Sequence, residues 1–198
     1  MKLKECLVIG RTNVGKTAFV LNFAEYLGLE RAEVYFRYPD GFSTKQTFRL
    51  AIAQQELVGR GQHMTRCLQA LELEIPSGKA KKRITMVDSS GFPDGIPGDE
   101  AVRRAVAQTL RHVREAELVL HMLDASSAGA IGEVDKQIAK FAETRGGYVV
   151  LANKMDLPTA QAGLERIRAF FQGHLVLPVS AIQKKGFKEV KAVVARSL

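Results

Sequence analysis

Gly10-Arg11-Thr12-Asn13-Val14-Gly15-Lys16-Thr17 stands between an apolar run, Cys6-Leu7-Val8-Ile9, and the stretch Ala18 to Leu27. The run reads as a buried strand, and the stretch reads as a helix with Gly28 as its stop. A loop between strand and helix can aim successive backbone N–H groups, here those of residues 13 to 18, at a polyphosphate. The helix N-terminus adds its partial positive charge. Gly10 and Gly15 permit the tight turn, Lys16 can reach the β- and γ-phosphates, and the Thr17 hydroxyl can ligate Mg²⁺. The bland alternative is a glycine-rich turn that carries Lys-Thr by chance, and the strand–loop–helix context argues against it.

A second segment, Asn153-Lys154-Met155-Asp156, follows the apolar run Tyr148-Val149-Val150-Leu151-Ala152. It therefore stands at the C-terminal end of another strand, the edge where open α/β sheets bind ligands. A carboxylate at Asp156 can accept both the N1–H and the exocyclic amine of guanine. Adenine presents no such donor pair and would leave the acid unpaired. Asn153 can bond the purine edge or brace the loop, and the Lys154 stem can lie along the base face. Alone, this tetrapeptide is a plausible turn; downstream of a phosphate loop it points to a guanine nucleotide.

Ile84-Thr85-Met86-Val87-Asp88 reads as a strand ending in an acid, followed by Ser89-Ser90-Gly91. An aspartate there can hold Mg²⁺ through its water shell. The Gly91 N–H can bond a γ-phosphate, so the loop beyond it senses that group. Ser180-Ala181, after the strand Leu175 to Val179, can offer a backbone N–H to the guanine carbonyl and informs only by position.

In this order the four segments resemble the translation-factor-related P-loop GTPases over nearly the whole chain, and they are most similar to the Era, EngA and TrmE group. Asn13-Val14-Gly15-Lys16-Thr17 resembles that group's Asn-Val-Gly-Lys-[Ser/Thr] loop, and Thr65-Arg66 resembles its switch-one Thr-Arg. The resemblance implies GTP or GDP with Mg²⁺, the metal side being Thr17, Thr65 and Asp88. Nucleotide contacts are expected from Gly10, Asn13, Val14, Gly15, Lys16, Thr17, Ala18, Asn153, Lys154, Asp156, Ser180 and Ala181, with Lys16, Asn13, Thr65 and Gly91 serving hydrolysis. Thr44 and Thr47 are weaker switch-one candidates because they lie far upstream of the strand Leu68 to Ile75.

The chain departs from the group's pattern. Asp88-Ser89-Ser90-Gly91 replaces Asp-Thr-Pro-Gly, and Thr12 stands where proline is frequent. About 48 residues separate Thr17 from Thr65, where connections of roughly 2–6 are common. This marks residues 29–62 as an inserted or extended switch-one segment. Phe42 to Val58, with Phe48, Ala51, Ile52, Gln55 and Leu57 near helical spacing, predicts a helical insertion. The aromatic and basic tract Val34 to Gly41 is either a partner surface or an extra layer on the sheet. Phe92 occupies the place of the glutamine that orients water in Ras-type enzymes, and it can neither donate nor accept a hydrogen bond. In potassium-activated members of the resembling group, the asparagine matching Asn13 helps bind K⁺, which supplies charge as an arginine finger does. Otherwise Asn13 braces the loop.

The expected architecture is α/β: one GTPase domain over residues 1–198, a mostly parallel sheet with one antiparallel edge hairpin, and helices on both faces. Leu71, Leu73 and Ile75 alternate with Glu72 and Glu74, which suits an exposed edge strand paired with Ile84 to Val87. Cys6 and Cys67 read as buried strand thiols of a reducing cytoplasm. His63, His112, His121 and His174 read as structural or exposed, with His63 near enough to Thr65 to touch the switch. No apolar run is long enough to span a bilayer, and Met1-Lys2-Leu3-Lys4 lacks a signal-peptide pattern, so the expectation is a cytoplasmic protein.

The formal net charge is +8, gathered at Lys79 to Arg83 and at Lys184, Lys185, Lys188 and Lys191. Such clusters are either solvated faces or contacts to a polyanion, ribosomal RNA or an anionic membrane surface. A nucleotide-dependent homodimer or a protein effector are further partners to expect. The main expectation is a Mg²⁺-dependent GTPase switch. The alternative is a GTP-binding module with negligible turnover, which Phe92 keeps open; a P-loop kinase leaves Asn153 to Asp156 without a purpose.

Overall fold

The structure, a computed structural model, describes residues 3–58, 67–77, 80–93, 98–127, 129, 131–143 and 147–198. Thr65, with Arg66 and His63, lies outside these residues, as do Lys79 and residues 94–97 of the loop after Phe92. In chain order the elements are β1 (Lys4–Ile9), α1 (Lys16–Tyr26), β2 (Arg31–Arg37), β3 (Ser43–Arg49) and α2 (Leu50–Ala53), which runs into a π-helical turn (Gln54–Val58). Then follow β4 (Leu68–Ser77), β5 (Ala80–Asp88), α3 (Glu100–Glu115), β6 (Leu118–Asp124), α4 (Glu133–Glu143), β7 (Tyr148–Asn153), α5 (Ala160–Phe170), β8 (Leu175–Pro178) and α6 (Phe187–Ser197).

The strands form one eight-stranded sheet in the order β3-β2-β4-β5-β1-β6-β7-β8. From β5 to β8 neighbours are parallel, and β3, β2, β4 and β5 are joined antiparallel. The central parallel strands are apolar where both faces are covered, as at Cys6 to Ile9 and Val149 to Ala152. On one face α1 and α6 close over the sheet around Phe19, Phe23 and Phe187, with Phe187 set edge-on to the other two rings at centroid distances of 5.2 and 5.6 Å. On the other lie α3, α4 and α5. The helix α3 starts where Asp99 caps the Ala101 N–H at 2.8 Å, and it buries Val102, Ala105, Thr109 and Val113 as one stripe. The α/β expectation with helices on both faces holds.

Two details of the expectation are corrected. The helix expected from Phe42 begins only at Leu50; Ser43 to Arg49 is a strand paired with β2. Tyr38-Pro39-Asp40-Gly41 is the turn of that hairpin, with the Tyr38 N–H donating to Phe42 O at 2.8 Å. Consequently β4 is not an edge strand. β2 pairs with its first half, Leu68 to Leu71, and those four residues are buried; the Glu72 and Glu74 side lies beyond that pairing and is exposed. Cys67 is buried and stands one residue before β4 rather than on it.

Candidate functional site

The C-terminal ends of β1, β5, β6, β7 and β8 share one edge of the sheet, and each delivers a polar segment there. Behind β1, Gly10 has φ 147° and Gly15 φ 98°, and Asn13 sits at φ 64°, a left-handed conformation that asparagine tolerates. A β-carbon on Gly10 would lie 2.2 Å from the Met122 carbonyl oxygen, so the loop can cross β6 only as glycine. Lys16 is buried at the start of α1 and donates to the carbonyls of Gly10 (3.2 Å) and Arg11 (2.9 Å). Its ammonium has three donors, so one remains for a ligand. Burial lowers its pKa to about 8, against the opposing pull of Asp88.

At the end of β5 the Thr17 hydroxyl donates to Asp88 Oδ2 at 2.6 Å. Asp88 is 1% exposed, and burial pushes its carboxyl up to about 6 despite Lys16 and Thr17. Its second oxygen, Oδ1, is buried without a hydrogen-bond partner. An orphaned carboxylate oxygen beside a threonine hydroxyl fits a hard divalent cation with its water shell.

The segment after Asp88 is laced to the phosphate loop. The Phe92 N–H donates to Gly10 O at 3.1 Å and the Thr12 N–H to Phe92 O at 3.2 Å. Gly91 passes so close to Thr12 that a β-carbon would lie 2.7 Å from its Cα. Ser90 Oγ lies 3.1 Å from Ala105 O and 2.9 Å from Thr109 Oγ1, which anchors the segment to α3. The Phe92 ring is 2% exposed and packed with Ile9, Val113 and Ile138.

From β7, Asn153 spans two loops: its Nδ2 donates to Val14 O at 2.8 Å, and its Oδ1 accepts the Ala181 N–H at 2.9 Å. The bracing alternative for Asn153 is the one the geometry displays. Lys154, at φ 66°, pairs with Asp124 at 2.6 Å. Burial opposes ionisation of Asp124, but its bonds from Lys154 and Ser126 hold it below the usual carboxylate range. Asp156 Oδ1 accepts from Ser180 Oγ at 2.5 Å, and Ser180 in turn accepts the Gln183 N–H at 3.0 Å. The expected residues from Gly10 to Ala18, with Asp88, Gly91, Asn153 to Asp156, Ser180 and Ala181, therefore converge at one edge.

Sequence reasoning missed a buried network beneath the loop. Asp135 of α4, fully buried, forms an ion pair with Arg11 (Nε at 3.1 Å), lies 3.0 Å from His121 Nε2 and accepts the Gly132 N–H at 2.8 Å; His121 Nδ1 meets the Tyr148 hydroxyl at 2.7 Å. An aspartate one turn into an amphipathic helix reads as a surface charge, so nothing local marked it. Among the described residues no group of three or more His, Cys, Asp or Glu is placed to hold a metal by itself.

A phosphate loop, an acid at the neighbouring strand end and an Asn-Lys-x-Asp segment on one sheet edge define a P-loop nucleotide-binding protein of the GTPase class. The chain belongs to the 50S ribosome-binding GTPase family, whose profile matches residues 5–154. GTPase Obg of Shouchella clausii is 29% identical over 100 residues, 46% of this chain and 23% of that protein. The tRNA modification GTPase MnmE of Chlorobium phaeobacteroides is 32% identical over 114 residues, 57% of this chain and 23% of that protein. The alignment thus spans 23% of the length of either relative. The crystal structure of Era from Aquifex aeolicus bound to GDP and AlF4⁻ superposes on 100% of this chain and 57% of its own, with a TM-score of 0.64. At 18% identity that likeness shows the fold alone.

Proposed function

We propose that residues 1–198 form one GTPase domain that binds GTP or GDP with Mg²⁺ and hydrolyses GTP as a molecular switch. The observation that carries the reading is Asn153, which ties the phosphate loop at Val14 to the base loop at Ala181. Asp156 then selects guanine by accepting from the N1–H and exocyclic amine of that base, a donor pair that adenine lacks. The loop amides and Lys16 stabilise charge on the β- and γ-phosphate oxygens, and the Gly91 N–H supports the γ-phosphate. Thr17 and, through water, Asp88 would hold Mg²⁺, which neutralises the phosphates when bound; Thr65 is proposed to close over the same group. Water attacks the γ-phosphorus, the bond to the β–γ bridging oxygen breaks, GDP leaves with that oxygen, and the attacking water gives up its proton as inorganic phosphate forms.

Phe92 cannot orient that water, and its ring is turned into the core. Activation by K⁺ at Asn13 is the proposed remedy, supported by that residue's exposed position in the loop. The buried Phe92 favours a second reading, a GTP-binding module with negligible turnover. Single-turnover phosphate release from GTP in potassium and in sodium buffer separates the two. Faster release in potassium supports activation, equal rates remove it, and no release in either buffer favours the binding module.

The basic surfaces are proposed to meet ribosomal RNA in a cytoplasmic setting. No helix among the described residues is long and apolar enough to cross a membrane. Part of the charge is already balanced: Lys81 pairs with Glu74 at 3.2 Å, Arg83 with Glu72 at 2.9 Å and Lys184 with Glu25 at 3.0 Å. A salt titration of ribosome binding tests the proposal, and no binding at low salt removes it.

A further inference from the structure

The inserted segment and the base loop meet on α1. Leu50 and Ala53 of α2 are buried in the core cluster of that face, and Leu57 packs against it. This seats Gln54, the first residue of the π-helical turn, beside α1. Its Nε2 donates to Asn22 Oδ1 at 2.6 Å and to Glu25 Oε2 at 2.9 Å. Asn22 spends its own donor on the other side, with Nδ2 bonding Ala181 O at 2.8 Å. Ala181 returns its N–H to Asn153, which reaches Val14 of the phosphate loop. The same Glu25 that receives Gln54 pairs with Lys184 of the base loop at 3.0 Å. One continuous set of hydrogen bonds therefore runs from the insertion, through α1 and the base loop, to the phosphate loop.

We infer that Asn22 is a positioning residue for the guanine loop and that Gln54 makes the inserted segment a governor of nucleotide release. The inference rests on the guanine-nucleotide reading of the site. An amide suits Asn22 because it presents one acceptor and a donor pair at once, so it can face Gln54 and the Ala181 carbonyl simultaneously. A π-helical turn is a local irregularity that places a side chain off the regular helical stripe. A partner that draws Leu50 to Val58 away from α1 removes the Gln54 bonds, frees Asn22 to swing, and slackens the loop carrying Ser180 and Ala181. The path enters the phosphate loop at Val14 and includes neither Lys16 nor Thr17, so the predicted effect falls first on how long the base is held.

The test is stopped-flow dissociation of a fluorescent GDP from the whole chain, alongside single-turnover hydrolysis of prebound GTP. Asn22→Asp keeps the acceptor for Gln54 but loses the donor to Ala181, and Gln54→Met keeps the length without donors. Release is expected to be about tenfold faster in Asn22→Asp and about threefold faster in Gln54→Met, with the hydrolysis rate constant unchanged. Wild-type release rates in both variants overturn the inference and leave the GTPase reading intact. A hydrolysis rate that falls in step with faster release also overturns it, because damage to α1 as a whole then explains both. A wild-type chain that holds no guanine nucleotide overturns the underlying reading before any variant is made.

Discussion

Thr17 and Asp88 are 71 residues apart in the chain and 2.6 Å apart in space, hydroxyl to carboxylate. The contact exists because β1 and β5 are parallel neighbours, with Val8 in register with Asp88, so the loop after one strand meets the acid ending the other. Asp88 holds its proton up to about 6, against an ordinary 3.8, because burial disfavours its charge. The folded chain therefore binds more protons than the unfolded chain between those values. The contribution of Asp88 to metal-free stability is expected to be lost as pH rises from about 4 to about 6. Asp88→Asn removes the buried charge, so its metal-free melting temperature at pH 7 should rise by about 3 °C or more. The same variant should lose the stabilisation that wild type gains from Mg²⁺ with GDP. A variant that melts lower without metal and still responds to Mg²⁺ would contradict both statements.

Restoring a glutamine after Gly91 is not expected to restore Ras-type chemistry. Phe92 is 2% exposed and its backbone is laddered to Gly10 and Thr12, so a side chain there is aimed into the α3 and α4 packing. Phe92→Gln should leave turnover at or below the wild-type rate and destabilise the fold by about 2–4 kcal/mol, from lost burial and a desolvated amide. Urea denaturation and phosphate release check the two halves. A tenfold gain in turnover would show that the segment reorients freely.

Gly91 offers a test of the γ-phosphate contact. A β-carbon there meets the backbone of Thr12 at 2.7 Å from Cα and 2.9 Å from N, which no rotamer change relieves. Gly91→Ala must push the segment off the phosphate loop and strain the Phe92 to Gly10 bond. GTP affinity is expected to drop about tenfold more than GDP affinity, since only GTP carries the group that Gly91 is proposed to support. Equal losses for the two nucleotides, measured by competition, would remove Gly91 from that role.

The loops that the sheet gathers at one edge were legible because each is a short local pattern at the end of an apolar run. Gly10 to Thr17 and Asn153 to Asp156 carry their context with them, and parallel strands bring such ends to one edge. The first half of the expected helical insertion, Ser43 to Arg49, was misread for an equally local reason, while Leu50 to Val58 is helical as expected. Phe48, Ala51, Ile52, Gln55 and Leu57 mimic helical spacing, but the first belongs to β3 and the rest lie beyond its end. The hairpin signal was present in Tyr38-Pro39-Asp40-Gly41 between β-forming Val34-Tyr35-Phe36 and Ser43 to Arg49, and its turn chemistry outweighed the periodicity. Asn22 and Asp135 were illegible because their partners are distant in sequence: Ala181 is 159 residues from Asn22, and Arg11 approaches Asp135 from another loop.

Asp135 is also linked to Lys16 through Arg11. The Arg11 side chain is clamped by Asp135 and by the Gly129 carbonyl, while its backbone carbonyl accepts Lys16 Nζ at 2.9 Å. Whatever fixes the guanidinium therefore fixes one of the two carbonyls that aim the lysine. Asp135→Ala removes the ion-pair partner of Arg11, the acceptor of the Gly132 N–H and the buried neighbour of His121 Nε2, and leaves the mostly buried guanidinium without its carboxylate. The expected loss is about 3–5 kcal/mol in urea denaturation, since breaking one side of a buried pair costs more than replacing both. Arg11→Met in the same chain should recover part of it, because the stranded cation is gone. The single variant should also bind GDP more weakly than the stability loss explains, read as affinity well below the unfolding midpoint. Unchanged affinity in a folded Asp135→Ala protein would mean that Lys16 is aimed by the loop glycines alone.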